Sequence, residues 1–231
     1  MDDRPNLARR AAAEAIGVFA LVFAGCGAIV TESVHPGSLG NIGIALVFGL
    51  VIMVMVYATG HLSGAHLNPA VTVAFALTRH FPRAETATYL VAQAAGAIIA
   101  AALLAAVWPS QPADLGTTLP SVGIGSAFVY ETILTAFLMF VIMAVATDTR
   151  AVGAAAAIAI GGTVGLDALF GGPITGASMN PARSLGPALV AGQLHDLWLY
   201  LVAPPLGAAL GALAYQLVRG EHPGEPAAER T

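Results

Sequence analysis

Charge is what this chain has least of. Only 10% of its 231 residues are Asp, Glu, Lys or Arg, against about 25% in an average soluble domain. Lysine is absent altogether, so every fixed positive charge is an arginine. A water-facing surface cannot be assembled from so little polar material, which excludes a soluble globular domain. The single cysteine, Cys26, excludes an internal disulfide. Phe23-Ala24-Gly25-Cys26 loosely resembles a lipoprotein cleavage site, but Phe fits poorly there and cleavage would remove an apolar span. No nucleophile–base pair and no cofactor loop is present. His61 and His66 lie five residues apart without a third ligand nearby, which is no metal site. Neither catalysis, a cofactor, a metal nor a nucleic-acid partner is expected.

What the chain does have is hydrophobic length. Apolar residues make up 57% of it, and its mean hydropathy is +0.79. Apolar stretches run near 11–31, 41–59, 84–107, 124–147, 151–170 and 196–218, each close to the ~20 residues a helix needs to cross hydrocarbon. The chain therefore reads as a multi-pass integral membrane protein. The basic residues are Arg4, Arg9, Arg10, Arg79, Arg83, Arg150, Arg183, Arg219 and Arg230. With six spans and both termini cytoplasmic, all but Arg183 fall on the inner side, and a bacterial inner membrane is the expected host. Arg183 at membrane depth is expensive unless it serves a function or snorkels to an interface.

Arg183 stands inside the strongest pattern in the sequence. Gly64-Ala65-His66-Leu67-Asn68-Pro69-Ala70-Val71-Thr72 recurs as Gly176-Ala177-Ser178-Met179-Asn180-Pro181-Ala182-Arg183-Ser184. Each copy is a helix start, with Asn suited to the cap and Pro to the first turn. Each is followed by about nine or ten apolar residues, half a membrane thickness as helix. The segments beginning at Glu14 and Glu131 also match, so the chain divides into halves near 1–112 and 113–231. Three spans per half is an odd number, so the halves must be inverted, with the functional centre near the midplane. A cap uses the Asn side-chain oxygen and leaves its NH2 group to donate. Two half-helix N-termini meeting there would aim positive potential at one spot. A single Asn-Pro would merely turn a loop; two related copies in opposed halves point to a site.

On these motifs the chain resembles the aquaporin, or major intrinsic protein, family along almost its whole length. The resemblance implies an all-α membrane fold of six transmembrane helices plus two re-entrant half-helices. It implies that Asn68 and Asn180 meet at a pore centre and that Arg183 belongs to an extracellular selectivity filter. Counting from the motifs, the other filter positions fall on Phe48, Ala168 and Ala177. Backbone carbonyls of Gly64, Ala65, His66, Leu67, Gly176, Ala177 and Ser178 would line the path. Glu14 and Glu131 would buttress the motif loops; a proton-relay role is the alternative. A homotetramer with one pore per subunit is implied as well.

Two departures bear on solute. Strict water channels of the family have His where this chain has Ala168. Glycerol facilitators pair a second aromatic and a following Asp with the Arg, where this chain has Ala177 and Ser184. The segment from Thr175 to Leu189 is similar to the plant nodulin-26-like branch and its bacterial relatives. The expected function is a passive channel for water and small uncharged solutes such as glycerol, urea and undissociated metalloid acids, excluding protons and ions. An inverted-repeat coupled transporter is the second reading; it needs carboxylates at the midplane, and only Glu14, Glu131 and Asp167 are available. Asp167 either enters the filter through a one-residue shift or faces solvent near the outer end of the fifth span.

Overall fold

The protein is described here by a computed structural model covering residues 5–148 and 155–220. Arg4, Arg150 and Arg230, used above to orient the chain, lie outside the described residues, as does the expected start of the fifth span. Eight α-helices occur among the described residues: α1 (Leu7–Val34), α2 (Gly40–Ser63), α3 (Pro69–Leu77), α4 (Arg83–Val107), α5 (Ile124–Thr147), α6 (Ala156–Thr175), α7 (Pro181–Ala191) and α8 (Leu197–Val218). Six of them are 20 to 28 residues long and apolar enough to span a bilayer. The other two, α3 and α7, have nine and eleven residues. At 1.5 Å per residue they reach about halfway through the hydrocarbon.

Local chemistry sets the element ends. Asn6 caps α1 through the Arg9 N–H at 3.0 Å. Glu32 closes the α1–α2 turn by accepting the N–H groups of Gly37, Leu39 and Gly40 at 2.7, 2.8 and 2.9 Å. The fifth span departs from its expected limits: α6 ends at Thr175, not near 170. The sequence Gly171-Gly172-Pro173 reads as a helix stop, because Pro173 cannot donate to the carbonyl of Leu169. Asn41 of α2 removes the difficulty by donating its Nδ2 to that carbonyl at 2.6 Å. The helix then continues to the left-handed Gly176.

The packing weaves the halves together. Within the halves, α1 lies on α4 and α5 on α8; between them, α2 lies on α6, α3 on α8 and α4 on α7. Small residues permit these contacts. A Cβ at Gly49 would lie 2.7 Å from the Gly161 carbonyl oxygen, and one at Gly161 would lie 2.5 Å from that of Gly49. Gly207 and Gly211 of α8 press in the same way on the Thr132 and Ala136 carbonyls of α5. Outward-facing apolar side chains such as Leu46, Leu50, Val54, Ile133 and Phe137 are more than half exposed, which suits acyl chains as solvent. The result is an inverted repeat in which α3 and α7 approach each other from opposite halves.

Candidate functional site

The two short helices begin alike. Asn68 and Asn180 are extended caps, and Pro69 and Pro181 open the helices. The Asn68 side-chain oxygen accepts from the Ala70 N–H at 2.8 Å; that of Asn180 accepts from Ala182 at 3.0 Å and Arg183 at 3.3 Å. The amide groups then cross. Asn68 Nδ2 donates to the Met179 carbonyl at 2.7 Å, and Asn180 Nδ2 donates to the Leu67 carbonyl at 2.8 Å. Each cap therefore fastens its own helix and grips the opposite motif. An amide nitrogen has two hydrogens, so one remains on each side for the cavity that both asparagines line.

The loops leading into these caps are shaped by two buried carboxylates. Glu14 accepts from His66 N–H and Ser63 Oγ through one oxygen, and from Leu67 N–H and Gln93 Nε2 through the other, at 2.6 to 2.9 Å. Glu131 repeats this with Thr175 Oγ1, Ser178 N–H and Met179 N–H at 2.7 to 2.9 Å. In a trans peptide the N–H and the preceding C=O point in opposite directions. Drawing consecutive N–H groups to the glutamate turns the carbonyls of Ala65 and His66 away from it, and likewise those of Ala177 and Ser178. The N–H groups of Ala65 and Ala177 go to Ser63 Oγ and Thr175 Oγ1, which turns the Gly64 and Gly176 carbonyls the same way. The backbone is left-handed at Ala65 (φ 47°), Leu67 (50°), Ala177 (41°) and Met179 (52°). That is strain of about 1–2 kcal/mol per residue, sustained because the carboxylates over-determine the path.

A cavity of about 120 Å³ runs past both motifs, enough for several water molecules. Gly64, Ala65, His66, Leu67, Asn68, Ala177, Ser178, Met179, Asn180 and Arg183 form its polar side. Its apolar wall comes from stripes at helical spacing: Phe48, Ile52 and Val56 on α2, Leu138, Ile142 and Ala146 on α5, and Ala156, Ile160, Val164 and Ala168 on α6. Gly176 is outside the lining and packs on Thr118. The Leu67 carbonyl lies in the wall but already accepts from Asn180. Phe48, Ala168, Ala177 and Arg183 gather around the same cavity. The Arg183 guanidinium centre is 5.1 Å from the Phe48 ring centroid, and its Nη1 donates to the Gly116 carbonyl at 2.7 Å. Arg183 Nε and Nη2 have no hydrogen-bond partner among the described residues.

Neither expectation for Asp167 holds. It is 1% exposed, so it does not face solvent, and it is not among the cavity-lining residues, so it does not enter the filter. Because α6 runs on to Thr175, Asp167 sits well inside the helix. Ala168 takes the cavity face, and one residue of helix turns Asp167 about 100° away.

Several participants were not anticipated from the sequence. Tyr89 and Tyr200 donate to the carbonyls of Ser63 and Thr175 at 2.8 and 2.6 Å, fixing the ends of α2 and α6. Ser63 and Thr175 stand at the same spacing as Asn68 and Asn180, so extending the motif comparison upstream reveals them. The His66 ring packs among Phe75, Phe81 and Tyr89. Its Nδ1 meets Thr72 Oγ1 at 3.1 Å. That hydroxyl also lies within hydrogen-bond distance of Asn68 O and receives Gln93 Nε2. The apolar wall carries no sequence signal that separates it from lipid-facing residues of the same helices.

Six spans, two opposed half-helices and a cavity through their junction make this a helical membrane channel. Comparison with known proteins agrees. Residues 2–215 match the family described as Major intrinsic protein. Nodulin-26 of Glycine max is 49% identical over 219 residues, covering 95% of this chain and 80% of that protein. Aquaporin NIP1-1 of Oryza sativa subsp. japonica is 48% identical over 207 residues, covering 90% and 73%. Among solved structures, the aquaglyceroporin from Plasmodium falciparum superposes with a TM-score of 0.83 at 27% identity, covering 93% of this chain and 97% of that one. The chain belongs to the major intrinsic protein family.

Proposed function

We propose that the chain is a passive channel in which water and small uncharged solutes pass in file between Asn68 and Asn180 while protons and ions are excluded. The crossed amide pair carries this reading. A water oxygen at the junction accepts one remaining hydrogen from each asparagine, so its own hydrogens point outward along the file. It then cannot relay a proton. The N-termini of α3 and α7 add positive potential at the same point, and Arg183 adds a full charge nearby; channels of this family exclude cations by these means. The turned carbonyls of Gly64, Ala65, His66, Ala177 and Ser178 accept hydrogen bonds from the file, and Arg183 Nε and Nη2 donate to it at the filter. With Ala168 and Ala177 opposite, the filter has room for solutes larger than water, which agrees with the likeness to a nodulin-26 and an aquaglyceroporin.

The coupled-transporter reading has lost its chemistry. No carboxylate lines the cavity among the described residues, and Glu14 and Glu131 are occupied by loop donors. Cytoplasmic termini are supported by Arg9, Arg10, Arg79, Arg83 and Arg219, which all fall on one side of a six-span chain. The named relatives are plant proteins and lend the bacterial inner membrane no support. A homotetramer is supported by family membership.

The test is a solute panel on purified protein in liposomes, read by stopped-flow light scattering. Water flux together with glycerol, urea or arsenite flux is the expected result. Water flux alone would sink the broader-solute part, and no flux at all would sink the channel.

A further inference from the structure

Among the described residues the Arg183 guanidinium is held by one hydrogen bond, from Nη1 to the Gly116 carbonyl. How far the guanidinium reaches across the cavity therefore depends on where that carbonyl stands. Gly116 belongs to the connection between α4 and α5, whose backbone is left-handed at Gln111 (φ 48°), Ala113 (51°), Asp114 (46°), Leu115 (54°) and Gly116 (75°). Four non-glycine residues in that region hold only where packing over-determines them.

The packing comes from α1. Cys26 is wholly buried, and its Sγ lies 3.8 Å from the Gly116 carbonyl oxygen that Arg183 also uses. A Cβ at Gly116 would lie 2.8 Å from the Cys26 Cβ and 3.0 Å from its Cα, so the connection rests directly on α1 at this residue. Beyond Gly116 the connection is tied to the second motif. Thr118 Oγ1 donates to Ser184 Oγ at 2.7 Å, and the Ser121 N–H donates to the Ile174 carbonyl at 2.9 Å. Cys26 itself does not line the cavity.

We propose that Cys26 is a positioning residue for the filter. Through the Gly116 carbonyl, the bulk of its side chain on α1 sets how far Arg183 extends, and hence which uncharged solutes pass. This rests on the reading of Arg183 as the filter residue. Alanine keeps the Cβ and removes only the Sγ beside the Gly116 carbonyl oxygen, which frees that carbonyl to move toward α1 and draw Arg183 back; a larger side chain presses the carbonyl, and Arg183 with it, toward the cavity. Serine keeps a donor toward Gly116 at nearly the same volume.

The experiment measures the glycerol-to-water permeability ratio of Cys26→Ala, Cys26→Val and Cys26→Ser in proteoliposomes, each also in an Arg183→Val background. Cys26→Ala should raise the ratio about threefold or more, Cys26→Val should lower it, and Cys26→Ser should keep it near the parent. In the Arg183→Val background none of the three should move it. A merely structural role scales both permeabilities together and leaves the ratio alone. If Cys26→Val does not reach the membrane, Cys26→Ala decides, since it needs no added room. An unchanged ratio in Cys26→Ala, with Arg183→Val raising it, overturns the positioning role alone. An unchanged ratio in Arg183→Val overturns the filter reading first.

Discussion

Asn68 and Asn180 each cap a helix with the amide oxygen and hold the opposite loop with one amide hydrogen; in the proposed channel the other hydrogen faces the file. The first task was readable from Asn-Pro after a non-helical stretch. The second was not, because the acceptors Met179 and Leu67 belong to the other half of the chain. Arg183 was legible as an expensive residue in an apolar setting, whereas its acceptor, Gly116, carried no mark. Replacing Arg183 with Val removes the charge and bulk from the proposed filter. Glycerol permeability relative to water should rise, and a proton-sensitive dye inside the vesicles should report whether proton exclusion weakens with it. Ala168→His adds bulk to the wall of the same cavity and should lower the same ratio; an unaltered ratio would mean that Ala168 does not border the constriction. Asp167 shows how sharply side-chain direction depends on helix phase. Adjacent to Ala168 in sequence, it is turned out of the cavity and buried.

The half-helices owe their placement to Glu14 and Glu131, which take the loop N–H groups that no secondary structure satisfies. Glu131→Gln keeps the size but sets an NH2 group against one of these donors. A buried unsatisfied group costs about 1–3 kcal/mol. The variant should therefore unfold at lower temperature in detergent and conduct less water; an unshifted midpoint would show that the loop holds without the carboxylate. Helix lengths were largely readable from hydropathy because an apolar run and a bilayer thickness define each other. The exception is informative. Gly171-Gly172-Pro173 looks like a helix end, yet α6 runs through it, and Asn41 on a different span takes up the Leu169 carbonyl that Pro173 cannot bond.

At the scale of the whole molecule, the polar groups of the two motifs line one cavity between interlocked halves, and apolar side chains face outward. A path lined by no carboxylate among the described residues offers nothing to couple. Solute flux should rise in proportion to the gradient without saturating and should ignore imposed proton or sodium gradients; saturation or sodium dependence measured in liposomes would contradict a channel. The sequence alone dictated membrane insertion, the number of spans and the two Asn-Pro-Ala helix starts. These follow from composition, length and repetition, which are properties of a chain read in order. The crossed amides, the carbonyls turned by distant glutamates, the apolar wall and the seat of Arg183 on Gly116 arose only on folding. Each depends on a partner many residues away, and on which face of a helix points inward, which a uniformly apolar span does not record.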